Sequence, residues 1–275
     1  MRIINFLSQY TTDKISPEKT SRREAFRQFG NWSRKAAAFA LPLGISAIPR
    51  KISAQTTGDT AVSALQLALT LEYLENEFYV KALDSGVLPP GQPERVFMQI
   101  SKHESAHVDF LYAGLENADL APVQKPNFDF TAGGAFDPFN DTGVGSDTAY
   151  VQMLALAQAF EDTGVRAYKG QAANLMGSAF LTAALQIHSV EARHASEIRR
   201  MRGLKGWITG NMRGDGMPEA TQAVYNGEEN TMQGGVDVTS LNSGTPFSFE
   251  SATEAYDEPL SGDDATAIAG LFIMA

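Results

Sequence analysis

The chain has 275 residues, of which 43% are hydrophobic and 20% charged, and a formal net charge of −10. Those proportions belong to a globular protein and not to a disordered or collagen-like one, and the acidity excludes nucleic acid as the main partner. The sequence has no cysteine, which removes disulfides, cysteine-ligated zinc, iron–sulfur clusters and thiol nucleophiles together.

The charge divides the chain in two. Residues 1–55 hold ten Lys/Arg against three Asp/Glu, and the remainder holds 12 against 29. The basic block carries Arg22-Arg23 and Phe26, then an alanine-rich apolar run from Ala36 to Ile48, then Ser53-Ala54-Gln55. A charged segment, a short apolar segment and small residues form the layout of a secretory signal. The apolar run is too short to span a bilayer, which needs about 20 apolar residues. The paired arginines resemble those of a twin-arginine leader. Residues 1–55 are therefore expected to be a leader, cut between Ala54 and Gln55, that takes the folded protein through the twin-arginine translocon to the periplasm.

A first helix is expected from Thr60 to Leu83, without interior Pro or Gly and with Asp59 or Thr60 as N-cap. Asp84-Ser85-Gly86 ends it and Pro89-Pro90-Gly91 turns the chain within about ten residues. A second helix runs from about Pro93 to Leu115, with Val96, Phe97, Ile100, His107, Phe110 and Leu111 as its inner stripe. From Glu116 to Ser146 six prolines and glycines, between Pro122 and Gly143, prevent a continuous helix. A third helix starts at Asp147, its N-cap, and reaches about Leu175, weakened by Gly164 and Gly170. A fourth runs from Ser178, only a few residues on, to Met201, where Arg199, Arg200 and Arg202 suit its C-terminal dipole.

Short links inside each pair imply antiparallel hairpins, and the long middle connection can cross from one end of the bundle to the other. The expected fold class is all-α, a four-helix bundle of two hairpins over residues 56–203. Residues 204–275 are dominated by Gly, Asn, Thr, Ser and acids. They read as an irregular C-terminal extension packing on the bundle, with Trp207, Tyr225 and Phe247 as anchors and a helix over Ala265–Met274. Met98, Met153 and Met176 read as core filler.

The second helix contains Glu104-Ser-Ala-His107 and the fourth Glu191-Ala-Arg-His194. Residues three apart share a helix face, so each Glu stands with its His. The first and third helices supply Glu72 and Glu161, each followed seven residues later by a tyrosine, Tyr79 or Tyr168. Seven residues are almost two helical turns, so each Tyr lies above its Glu. The chain thus repeats one plan: a Glu…Tyr helix, a short link, a Glu-x-x-His helix.

Packed as a pseudo-twofold bundle, Glu72, Glu104, His107, Glu161, Glu191 and His194 converge as six ligands. Four carboxylates in a bundle core repel one another and cannot all ionise without compensation, which two divalent cations supply. Imidazole with carboxylate suits iron or manganese, so the expected cofactor is two Fe or two Mn ions. Glu75, one turn beyond Glu72, competes for its place or adds a further ligand. Tyr79 and Tyr168 either hydrogen-bond ligand carboxylates or serve as core aromatics. His188 lines the site or orients a ligand, and His103 reads as a partly buried polar histidine.

Three motifs, Leu71-Glu72-Tyr73-Leu74-Glu75, His103-Glu104-x-x-His107 and Glu191-x-x-His194, resemble those of the bacterial ferritin-like domain family, which includes plant desiccation-related proteins. The similarity extends to Tyr225-Asn226-Gly227-Glu228 and Ala255-Tyr256-Asp257-Glu258-Pro259-Leu260, and so covers about residues 56–275. Twin-arginine-like leaders are common among the bacterial members. The six-ligand plan is also similar to that of manganese catalase. The resemblance implies a metal-binding ferritin-like bundle, with redox chemistry on peroxide or dioxygen, catalase-like or ferroxidase-like with Fe(II) as substrate, in oxidative-stress protection. It leaves open a non-catalytic stress-protection protein whose metal is mainly structural, and a small homo-oligomer in place of a storage shell.

Overall fold

Four stretches combine helix-forming residues with an apolar face and hold no proline beyond the first turn. In the computed structural model, which describes residues 57–242 and 244–274, these become α1 (Thr57–Asp84), α2 (Gln92–Asn117), α3 (Ser146–Gln171) and α4 (Leu181–Met201). The expected leader over residues 1–55 lies outside the described residues. α1 begins at Thr57, three residues before its expected start at Thr60. α2 opens on a proline in its first turn, where the missing N–H costs nothing. At α3 the N-cap is Gly145 (φ 94°) and not Asp147, which sits in the first turn and complements the helix dipole.

α3 also stops at Gln171, short of Leu175. The link to α4 is a coil of i→i+3 turns, with Leu175 N–H donating to Ala172 O and Ser178 N–H to Leu175 O. Gly177, at φ 80°, makes a left-handed turn that a side chain would oppose. This link spans residues 172–180, whereas α1 and α2 are joined by the shorter 85–91.

α1 packs along α2 and α3 along α4, and the two hairpins meet chiefly through α1 and α3, whereas α2 and α4 touch lightly. The inner stripe of α2 is narrower than its sequence suggests: Phe97, Ile100, His107 and Leu111 are buried, Val96 is half-buried and Phe110 is exposed. Met153 is core, but Met98 faces out from α2 and Met176 projects from the α3–α4 link. Between α2 and α3 the crossover contributes Phe130 and Phe139 to an aromatic cluster, with ring centroids 5.5 and 5.7 Å from Phe78, which also meets Phe160 of α3 at 5.1 Å. Among the described residues no helix is long and apolar enough to cross a membrane.

α3 departs from the amphipathic pattern. From Met153 to Tyr168 every residue is buried, including Asp162 and Arg166. The C-terminal extension covers the outer side of this helix. It comprises a 3-10 turn (Glu219–Val224), a two-stranded ribbon (β1 Met232–Gln233, β2 Val236–Asp237), a second 3-10 turn (Val238–Ser240), α5 (Phe249–Thr253) and α6 (Gly262–Gly270). α6 starts at Ser261, whose hydroxyl caps Asp264 N–H, and ends before the chain terminus. Beyond it, Phe272 O accepts from Asp129 N–H and Met274 N–H donates to Asn127 O, so residues 271–274 pair with the crossover instead of extending the helix.

The extension is pinned by buried polar bonds. Arg166 donates to Val224 O, to Asn226 O at 2.9 Å and to Glu258 O at 2.8 Å, and its Nε lies 2.6 Å from Glu228 Oε1. Asp162 takes a bidentate Arg199 at 2.5 and 3.0 Å, together with the Tyr225 hydroxyl at 2.9 Å. Arg199 is thereby turned inward, in addition to lying in the last turn of α4. A Cβ on Gly170 would lie 1.8 Å from Leu260 O, so this glycine is required for close approach of the extension and is not simply a weak point of the helix. Of the three expected anchors only Tyr225 is buried; Trp207 and Phe247 are exposed.

Removing one partner of a buried ion pair typically costs about 3–5 kcal/mol, because the other charge stays buried alone. Arg166→Ala is therefore expected to lower unfolding free energy by roughly that amount, measured by chemical denaturation, and to make residues 204–260 the first segment cut by a protease. A variant as stable and as protease-resistant as the parent would show that the extension is held by other contacts.

Candidate metal centre

Each helix of the bundle delivers acidic or imidazole groups to one level of the core. α1 brings Glu72 and Glu75, α2 brings Glu104 and His107, α3 brings Glu161, and α4 brings Glu191 and His194. Glu72, Glu104, Glu161 and Glu191 are 0% exposed.

The histidines organise the oxygens. His107 Nδ1 lies 3.2 Å from Glu72 Oε2, 3.0 Å from Glu104 Oε2 and 3.1 Å from Glu191 Oε1. His194 Nδ1 lies 2.9 Å from Glu104 Oε1, 3.3 Å from Glu161 Oε2 and 3.7 Å from Glu191 Oε2. Glu104 and Glu191 therefore turn one oxygen to each histidine, and Glu72 and Glu161 serve one histidine each. The result is two groups that can each hold a cation, Glu72–Glu104–His107–Glu191 and Glu104–Glu161–Glu191–His194, with two members in common.

The tyrosines complete the same symmetry. Tyr79 donates to Glu161 Oε1 and Tyr168 to Glu72 Oε1, both at 2.5 Å. Each is buried as a core aromatic as well, so both roles left open by the sequence are present. The partner differs from simple helical stacking: each hydroxyl reaches the glutamate of the opposite hairpin, not the one two turns below it.

Hydrogen bonding alone does not satisfy this cluster. His194 Nδ1, Glu104 Oε1, Glu161 Oε2 and both oxygens of Glu191 are buried without a hydrogen-bond partner despite their short separations. Native proteins leave few such atoms unpaired, and one imidazole nitrogen carries at most one proton to share among three oxygens. Burial and repulsion from Glu191 push the Glu75 and Glu104 carboxyls well above the usual range, and burial lifts Glu161 to about 7 against the pull of His194. Burial opposes protonation of His107, but the close carboxylates of Glu104, Glu191 and Glu72 prevail and push it up to about 12. His194 is raised in the same manner by Glu161 and Glu104, and the two imidazoliums hold Glu191 down at about 2 against its own burial. The nearest buried guanidiniums are engaged elsewhere, Arg166 with Glu228 and Arg199 with Asp162. The donor chemistry fits metal cations: orphaned oxygens and a nitrogen converge in a water-poor core with a surplus of negative charge.

Three further residues, Gly164, His103 and His188, define the surroundings of the cluster. A Cβ on Gly164 would stand 3.1 Å from Glu75 Oε1 and 3.4 Å from Glu191 Oε2, so this glycine clears space for carboxylates. Its position three residues after Glu161 places it on the ligand face, which is the signal that could have revealed it. His103 is partly buried, as expected, and makes two specific contacts: its Nδ1 lies 2.8 Å from His194 Nε2 and its Nε2 2.7 Å from the Gln99 amide. Such a contact fixes which His194 nitrogen faces the carboxylates. His188 is not in either donor group; burial and the neighbouring Lys169 lower its pKa, against Val165, Asp257 and the ligand candidate Glu191.

Because cations compete with protons for these donors, binding is expected to release protons and to weaken as the pH falls. The raised pKa values of His107 and His194 mean that each holds a proton at neutral pH and must lose it from Nδ1 to ligate. Titration calorimetry with Mn(II) at pH 7, repeated in buffers of different ionisation enthalpy, is expected to show net proton release and an affinity that rises with pH. Binding without proton release would contradict ligation through these nitrogens.

Residues 60–204 match the sequence profile of the ferritin-like domain, a span that contains all four helices' contributions to this centre. No curated protein matches the chain.

Proposed function

The chain belongs to the ferritin-like domain family, and on that premise we propose that it is a dinuclear iron or manganese protein acting on dioxygen or hydrogen peroxide in oxidative-stress protection. The observation that carries this reading is the sharing of Glu104 and Glu191 between the two donor groups. Two separate sites would need separate carboxylates; shared ones hold a pair of ions close enough to act on one small molecule.

His107 with Glu72 would hold one ion and His194 with Glu161 the other. Mixed imidazole and carboxylate donors suit iron and manganese, whose redox couples a zinc site lacks. When bound, such a pair can exchange electrons with an oxygen–oxygen bond. The chain's own residues set the conditions. Tyr79 and Tyr168 hold the terminal carboxylates in place, His103 holds His194, and the packed core keeps bulk water from the carboxylates, which strengthens every charge interaction there. In the same reading the leader exports the protein after folding, so that the centre is filled before transport.

The test is direct. Untagged protein reconstituted anaerobically is expected to bind two ions per chain, one for each donor group, and Glu104→Ala/Glu191→Ala to lose that capacity. Rapid oxygen release from peroxide by the manganese form would assign disproportionation, and oxygen-dependent oxidation of Fe(II) would assign the ferroxidase form. Wild-type protein that retains neither metal, or a double variant that binds both ions unchanged, would overturn the assignment.

A further inference from the structure

Trp207, an anchor by expectation, does not anchor. It is 47% exposed, although burying aromatic surface is worth about 25 cal/mol for each Å². The ring is nevertheless held in place. Its indole N–H is bonded to the Glu254 carboxylate, which also takes Lys205 and Thr209, and its carbonyl accepts from Arg199 at 3.4 Å. An aromatic ring fixed at its polar edge and left open to solvent is a surface on which another molecule can rest.

That surface walls a cleft of about 310 Å³ on the outer side of α4, a volume within the range of small-molecule sites. α4 contributes Ala192 and Ala195, and the start of the extension supplies Trp207 and Ile208. Asp162 and Arg199 also line it, but they are spent on each other and on the Tyr225 hydroxyl. Two charged groups of the lining remain unpaired. Arg193 is exposed and Asp257 half-buried, and neither side chain makes a hydrogen bond or ion pair among the described residues. Asp257 acts on Arg199 and His188 through space alone. A second cleft shares Trp207 and Arg199 but has no spare cation, because its Lys205 is paired with Glu254. Only the cleft on α4 sets one spare charge of each sign beside the ring.

This combination selects its ligand. A simple anion is attracted by Arg193 and repelled by Asp257, and a simple cation meets the reverse. An apolar molecule takes water from both charges and returns nothing. A molecule with a carboxylate at one end and an ammonium at the other answers both. Its cationic end is also drawn to the face of tryptophan, the strongest of the aromatic rings in this respect. We propose that the Trp207 cleft binds a small zwitterion, with the carboxylate on Arg193 and the ammonium between Asp257 and the indole ring. The site stands apart from the metal centre, since no residue of either donor group lines it.

The probes are glycine betaine and free glycine, with choline, acetate and glucose for comparison. In equilibrium dialysis of the full chain against isotope-labelled probes, at least one of the two zwitterions is expected to bind about tenfold or more tightly than choline or acetate, each of which carries one of the two charges. Arg193→Ala and Asp257→Asn, which break no bond of the fold, are each expected to weaken that binding about tenfold. Trp207→Leu is expected to weaken it severalfold, and Lys102→Ala, exposed on α2, to leave it unchanged. Choline or acetate binding as tightly as the zwitterions would show that only one charge is read and would overturn the proposal. Preferential binding of glucose would overturn it in favour of a neutral polyol site. Failure of both zwitterions to bind, or an affinity indifferent to Arg193→Ala and Asp257→Asn, would overturn it outright. Should Trp207→Leu fail to fold, the two charge variants decide.

Discussion

Everything in this structure answers to the burial of five glutamates and two histidines at one level of a helical bundle. Carboxylates in such a core repel one another and lose their hydration, and either protons or cations must compensate. The perturbed carboxyls and imidazoles are the proton solution, and it is incomplete, since five ligand atoms find no hydrogen-bond partner. Each tyrosine hydroxyl that spans the hairpins relieves one oxygen at the cost of no extra charge. The donor chemistry therefore suits exchange of protons for cations, and the protein around it supplies fixed geometry in place of solvent.

That burden falls most heavily on α3, which carries Glu161 inward and Asp162 and Arg166 outward. A helix in a bundle normally leaves such charges in water. Here the C-terminal extension covers them, and it brings the partners with it: Tyr225 for Asp162, Glu228 and three backbone carbonyls for Arg166. Val224 apart, the residues that supply these partners lie in Tyr225–Glu228 and Ala255–Leu260, the short motifs that stand out in an otherwise irregular tail. They act on the centre through α3, which they hold against the hairpin it faces. Extension and bundle are thus bound by polar complementarity more than by a second apolar core, though Ile208, Val224, Leu260 and Ile268 add one against Ala155 and Ala159.

The helices and six converging side chains were legible because periodicity and the Glu-x-x-His spacing are local properties of a helix. The features that escaped reading are tertiary. Gly164 and Gly170 look like helix breakers until the carboxylates and the Leu260 carbonyl that they admit are in place. His103 reads as no more than a partly buried polar histidine because its partner, His194, is 91 residues away. Trp207 and Phe247 suggest anchors by size alone, but the extension is fixed by Arg166 and Asp162, whose partners no periodicity reveals. Met98 and Met176 misled for a related reason: side-chain type says what suits a core, not which face of the helix or link meets one.

The departures from symmetry carry the most information. The position three residues after Glu72 is Glu75, and the one three residues after Glu161 is Gly164. The missing side chain on α3 is what lets the additional carboxylate of α1 into the core. Before Glu104 stands His103, in contact with the carboxylate-facing imidazole of α4, and before Glu191 stands Val190. Phenylalanines cluster around Phe78 on one side, and beside Tyr168 lies a small cavity lined by leucine, alanine and phenylalanine. A ligand set that is twofold offers two like groups of donors, whereas surroundings that are not twofold make those two groups unequal in charge and in hydrogen bonding.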